Sequence, residues 1–214
     1  MGDRAVKRGS TVILANGSFP RRGGEAWKLL SEAVRIVACD GAADSCFRRL
    51  GRKPDVAVGD LDSLKSGDSA LEVVKVADQQ SNDLDKAICL CASRGWRNPV
   101  VVGACGKRED HTIGNVFLAL DRALEVVSDH GRFLPVRGKL TMELPVGTAV
   151  SVFTCSPSAK MHSTGLKWPL DGVVFSGLYR ATLNRTCRRR VSIVSDCPAC
   201  VYVAFPCGAR RGSR

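Results

Sequence analysis

Through its first 130 residues the chain alternates between short β-branched runs and helical patterns. That order constrains the fold more than any other feature. TVILA (11–15), RIVAC (35–39), DVAVG (55–59), EVVKVA (72–77) and PVVVGA (99–104) read as strands. Helical patterns fall at 25–34, 42–50, 84–93 and 111–127, and the second stops at Gly51. In the last, Ile113, Val116, Phe117, Leu120 and Leu124 recur at helical spacing. Strands alternating with helices predict a parallel sheet covered on both faces. After about residue 131 the helical period disappears. KLTMEL, AVSVFTC, GVVFSGLYRATL, RVSIVS and CVYVAF follow, separated by Gly and Pro, and predict a small antiparallel sandwich or barrel. The expected division is an α/β domain over 1–134 and a β-domain over 135–214.

A chain of 214 residues with 44% hydrophobic content can bury a core without covalent staples. No apolar run approaches the roughly 18 residues of a membrane span. The N-terminal apolar run stops at Asn16 and reads as a first strand rather than a signal peptide. A soluble, cytoplasmic protein without a membrane partner is expected. The ten cysteines then read as free thiols, mostly small buried hydrophobes. Cys187, Cys197, Cys200 and Cys207 offer four thiolates. Only the CPAC pair has tight spacing, so no structural zinc is expected. Residues 131–214 hold 13 Lys and Arg against three acids, a net +10 of the total +11. A basic half can signal nucleic acid, but no aromatics interleave with these charges, which argues against it.

In an open parallel sheet, ligands bind beyond the carboxyl ends of the strands. Every strand end here delivers polar groups. Asn16 follows the first, and Asp40 with Gly41 follows the second. Asp60 and Asp62 follow the third, in VAVGDLDSLKS; Asp78, Gln79, Asp83 and Lys86 follow the fourth; Arg108, Asp110 and His111 follow the fifth. Side chains two apart on an extended segment share a face within roughly 7 Å, so Asp60 and Asp62 repel unless a cation, a proton or water relieves them. Taken singly, Asp60 and Asp62 read as a solvated turn, Asp83 as a helix cap and Lys86 as a solvated face. Together they suit Mg²⁺–nucleotide chemistry. Asp40, Asp60, Asp62 and Asp83 offer hard oxygens for the metal, and Lys86 and Arg108 offer charge for phosphates. No P-loop motif is present, and the glycines of VGACGK fall short of a dinucleotide loop.

DGAAD, VGDLDS, DQQSNDLDKA and GKREDHTIGN, in this order, resemble the thiamine pyrophosphokinase family. TGLKWPL (164–170) and ATLNRT (181–186) resemble its C-terminal signature. The resemblance runs from Asn16 to about Asn184. It implies a Rossmann-like catalytic domain followed by an antiparallel β-sandwich. It implies transfer of the terminal diphosphate of ATP to the hydroxyethyl oxygen of thiamine, with Mg²⁺ as cofactor. It also implies a homodimer whose thiamine sites each join one subunit's rim to the other's sandwich. By motif position, Asp40, Asp60, Asp62 and Asp83 go to the metal and diphosphate. Asn16, Asp40, Gly41, Gln79, Lys86, Arg108, Asp110 and His111 go to ATP. Gln79, Trp168 and Asn184 go to thiamine. Catalysis is expected of Asp60, Asp62, Asp83, Lys86 and Arg108.

Several choices stay open in the sequence. Asp62 or Asp83 can take the hydroxyl proton. His111 can act as a base or open the helix that follows. Trp168 can be a stacking platform or a core aromatic of the sandwich. The chain departs from the family pattern at Ala42, Asn82, Lys107 and Leu183, where Gly, Thr, Gly and Ser are usual. No carboxylate is lost, nor is Lys86 or Arg108. The nearest rival is the same transfer to another hydroxymethyl heterocycle such as a pterin. A rival of another class is a basic nucleic-acid-binding module.

Overall fold

The structure, a computed structural model, describes residues 10–59, 71–76 and 81–206. Two compact units meet in sequence between Asp129 and His130.

The first unit contains β1 (Thr11–Leu14), α1 (Glu25–Ser31), β2 (Arg35–Cys39), α2 (Ala42–Leu50), β3 (Val56–Gly59), β4 (Glu72–Lys75), α3 (Asp83–Ser93), β5 (Val100–Val102), α4 (Glu109–Asp121) and β6 (Val126–Val127). Its strands run parallel in the order β6-β5-β1-β2-β3-β4. Val12, Ile13, Leu14, Ile36, Val37 and Val101 are fully buried, as strands covered on both faces require. β4 is an edge strand, and its pattern is correspondingly exposed. The chain moves outward from β1 through β4, then returns to β5 on the other side of β1. The strand order therefore reverses between β1 and β5, the switch point at which such sheets bind ligands. Among the described residues no helix is long and apolar enough to cross a membrane.

The second unit contains β7 (Gly131–Val136), β8 (Lys139–Glu143), β9 (Ala149–Phe153), β10 (Met161–Thr164), β11 (Ala181–Arg185), β12 (Arg190–Ser195) and β13 (Ala199–Ala204). They pair antiparallel as β11-β9-β13-β7 and as β10-β12-β8. The core includes Val136, Val150, Leu170, Phe175, Ile193 and Val201. The register of β11 on β9 shifts between Ala181 and Asn184, where Leu183 adopts φ 62°.

Three expectations need correction. The helical pattern over 111–127 is α4 followed by β6. The helix stops at Asp121, Ala123 turns the chain at φ 56°, and Val126 and Val127 are buried strand residues. A short apolar run fits either period, so spacing alone could not separate them. The run GVVFSGLYRATL is strand only from Ala181; Val174 lies in exposed irregular chain, and Leu178 and Tyr179 in an exposed turn. β7 and β10 were not anticipated. β7 contains Pro135 yet pairs with β13 along its length, so the expected boundary at 134/135 falls inside a strand.

Candidate active site

At the carboxyl end of β2, Asp40 is buried and takes φ 30°, a conformation that Asp tolerates better than most residues. Its N–H donates to Val58 O at 2.7 Å, and its carbonyl accepts the Ala43 N–H at 3.0 Å. Gly59, the last residue of β3, makes this fit possible: a Cβ there would lie 3.0 Å from the Asp40 Cβ. Asp40 is thus fixed beside the exit of β3, from which the chain continues to Asp60 and Asp62. Those two residues and Gln79 lie outside the described residues.

Asp83 is the first residue of α3. The cap is Asn82, whose Oδ1 accepts the Asp85 N–H at 2.9 Å, so the Asp83 carboxylate is not spent on capping. Lys86 donates from Nζ to Asp83 Oδ1 at 3.2 Å. The lysine is buried and Asp83 is half-buried. A buried ammonium is retained only beside a countercharge, so Lys86 is no solvated helix face. Cys39 connects the two aspartates. Its thiol donates to Asp83 O at 3.5 Å, and burial, then Asp83, Cys91 and Asp40, push its pKa up. Asp40 and Asp83 therefore lie within electrostatic reach of one sulfur.

The loops after β1 and β5 are joined across the switch point. Gly17 N–H donates to Gly103 O and Ser18 N–H to Cys105 O, each at 2.7 Å. A Cβ at Gly17 would sit 2.3 Å from Gly103 O, so only glycine allows this approach. Above it, Lys107 Nζ donates to Asn16 Oδ1 at 3.1 Å. Arg108 holds Asp110 through Nε–Oδ1 at 3.1 Å and Nη2–Oδ2 at 2.6 Å. Both side chains are exposed, which leaves the guanidinium open to an incoming phosphate. His111 is exposed in the first turn of α4, and Gly41 precedes α2.

Arg108 first, then the His111 N–H, holds the Asp110 carboxyl down to about 2. A lowered folded value stabilises the pair above the ordinary carboxyl range, and that contribution disappears as pH falls through about 2. A carboxyl ¹³C titration of Asp110 should show a midpoint near 2, and Arg108→Ala should return it toward roughly 3.9.

Sequence reasoning gave no role to Asn115. Its Nδ2 donates to Ala104 O and its Oδ1 accepts from Asn82 Nδ2, both at 3.3 Å. Asn115 thereby ties the start of α3, with Asp83 and Lys86, to the loop that leads to Arg108. It sits one turn beyond His111 inside the quoted motif, but spacing could not show which loop it would reach.

In the second unit, Trp168 and Asn184 are brought together. Asn184 is buried; its Nδ2 donates to Trp168 O at 2.6 Å, and its Oδ1 accepts the N–H groups of Trp168 at 3.2 Å and Arg185 at 2.8 Å. The carboxamide thus grips the backbone of Trp168. The indole is 51% exposed, which excludes a core aromatic, and Lys167 Nζ lies 4.7 Å from its ring centroid. The ring already accepts a cation. Among the C-terminal thiols, Cys200 is buried, and burial pushes its pKa up to about 12. Cys187 is exposed, Cys197 is half-buried, and Cys207 lies outside the described residues.

Hard oxygens from Asp40 and Asp83, with a lysine beside them, suit magnesium, which takes one or two protein carboxylates and completes its shell with phosphates and water. Among the described residues no group of three or more His, Cys, Asp or Glu could hold a metal by itself. The donor set fits a metal that arrives with a nucleotide.

Comparison with known proteins agrees along the chain. Residues 26–127 match the model described as thiamin pyrophosphokinase, catalytic domain, and residues 131–202 match the substrate-binding domain of the same family. A rice protein named thiamine pyrophosphokinase 1 (Oryza sativa subsp. japonica) is 28% identical over 227 residues, covering 86% of this chain and 83% of its own. The yeast thiamin pyrophosphokinase structure superposes with a TM-score of 0.74 at 16% identity, covering 94% of this chain and 87% of its own. The Bacillus subtilis thiamine pyrophosphokinase structure gives 0.71 at 16%, covering 92% and 100%. At such identities these structures speak for the fold: an α/β unit followed by antiparallel sheets. Both domains of one family, matched in order, account for most of the sequence, and the chain belongs to the thiamin pyrophosphokinase family.

Proposed function

We propose that the chain transfers the terminal diphosphate of ATP to the hydroxyethyl oxygen of thiamine, giving thiamine diphosphate and AMP. The observation that carries this reading is the buried Lys86–Asp83 pair at the start of α3, whose main chain the Cys39 thiol touches next to Asp40, in an α/β unit of this family. Diphosphoryl transfer depends mainly on positioning and charge neutralisation, and these residues supply both.

In this reading Lys86 and Arg108 neutralise charge on the transferring group, and Arg108 leaves Asp110 to do so. Asn16, Gly41, Gln79, Asp110 and His111 bind the nucleotide. Asp83 or Asp62 takes the proton from the attacking hydroxyl. Asp40 and Asp83, with Asp60 and Asp62, would hold Mg²⁺, which when bound supplies positive charge to the phosphates. Trp168 offers its face to the cationic heterocycle, as Lys167 already uses it. Asn184 acts by fixing Trp168. The phosphate-handling groups lie in the first unit and the aromatic in the second. The family resemblance adds a homodimer in which one subunit's rim works with its partner's sandwich. Cytoplasm suits it: ATP is at hand, and the nine cysteines among the described residues are free thiols.

The test is an assay with ATP, Mg²⁺ and thiamine in which AMP and thiamine diphosphate are both followed. Equal amounts of the two products are expected. ADP in place of AMP would rule out diphosphate transfer. Turnover on a hydroxymethyl pterin but not on thiamine would favour the rival acceptor.

A further inference from the structure

We propose that Asp171 is a positioning residue for Trp168, an inference that rests on Trp168 being the platform for thiamine. The segment from Gly165 to Asp171 leaves β10 in one sheet on the way to β11 in the other. One flank is fixed beside β11. Lys167 N–H donates to Arg185 O at 2.8 Å, and Asn184 accepts from the Trp168 N–H and donates to the Trp168 carbonyl. The other flank returns to β10. Leu170 N–H donates to Ser163 Oγ at 2.9 Å, and the Leu170 side chain fills the core. Asp171 completes that anchor: one carboxylate oxygen accepts the Ser163 N–H at 3.4 Å, and the other pairs with His162 Nδ1.

Trp168 therefore hangs between anchors on two sheets, with half its surface open. The His162–Asp171 pair is exposed, and exposed pairs add little to global stability. Its effect is local. Holding the flank before ligand arrives removes ordering cost from binding.

Asp171→Ala is to be made in a chain carrying Trp27→Phe and Trp96→Phe, so that Trp168 is the only fluorescent indole. The expected result is a drop in Trp168 anisotropy and a rise in KM for thiamine of about 3- to 10-fold, the scale of one newly freed side chain. KM for ATP should stay within about 2-fold, as for ordinary surface changes. Asp171→Asn keeps an acceptor for the Ser163 N–H and should restore most of both readouts. If Asp171→Ala proves poorly folded, His162→Ala removes the ring partner instead and must show the same direction of change in anisotropy. Unchanged anisotropy in these variants would overturn the proposal, as would KM for thiamine and ATP rising together. Trp168→Ala separates the two levels. If it leaves KM for thiamine unaltered, the platform reading fails, while anisotropy still decides whether Asp171 holds the ring.

Discussion

Asp83→Asn, assayed where it is folded, should turn over at least about 100-fold more slowly than the parent, the scale of a lost key electrostatic group at a reacting phosphate. The substitution removes the carboxylate charge at the first position of α3. It also leaves the buried Lys86 ammonium without the carboxylate at 3.2 Å. Both effects act on charge at the transferring group. The buried Lys86 also loses its countercharge, so the melting temperature should fall as well, and rates are compared at a temperature where the variant is fully folded. Initial rates of AMP release, with thermal melts as control, are the measurement. Asp60→Asn and Asp62→Asn should lose activity on the same scale. Near-parental turnover in all three would sink the assignment of the acidic rim.

The strand ends that precede these residues were legible because they sit where chain physics leaves little freedom. β1, β2, β3 and β5 are short, mostly apolar and β-branched runs bounded by turn residues, which suits strands covered on both faces. Once those strands are placed, Asn16, Asp40 and Arg108 fall at their carboxyl ends by counting. What sequence could not supply is pairing across distance. The grip of Asn184 on Trp168 spans 16 residues, and the link from Asn82 to Asn115 spans 33. Each depends on which loops meet, which no local period encodes. β10 was missed for a related reason. MHST alternates, with Met161 and Ser163 buried, but its inward serine serves the Leu170 backbone and carries no apolar signal.

Mixing Asp83→Asn with Trp168→Ala should restore activity that neither variant has alone. If each site joins one subunit's rim to its partner's sandwich, a heterodimer contains one site with both lesions and one with none. With free subunit exchange, about a quarter of the parental specific activity is expected, since half the dimers are mixed and one of their two sites is whole. A site completed within one chain would give no recovery, because every site would carry a lesion. The experiment needs Trp168→Ala to be folded and strongly impaired, shown beforehand by its melt and its assay. Mass spectrometry of the mixture establishes exchange. No rescue after proven exchange would refute the shared site and leave the acidic rim untouched.

The shifted register of β11 bears on Leu183, the position where the family resemblance leads one to expect serine. Ala181 faces Val152 and Asn184 faces Val150, so three steps on one strand answer two on the other. Residues three apart on a regular strand point to opposite sides. Here both Ala181 and Asn184 are buried, while Leu183 is 84% exposed at φ 62°. Position 183 is a spacer that corrects parity: the chain needs a residue there, and its exposed side chain makes no demand on the core. A leucine can therefore stand where serine is usual without disturbing the carboxamide next to it. Removing the residue altogether would be far harsher than replacing it. The strand would regain its alternation, Asn184 would turn to solvent, and Trp168 would lose its grip.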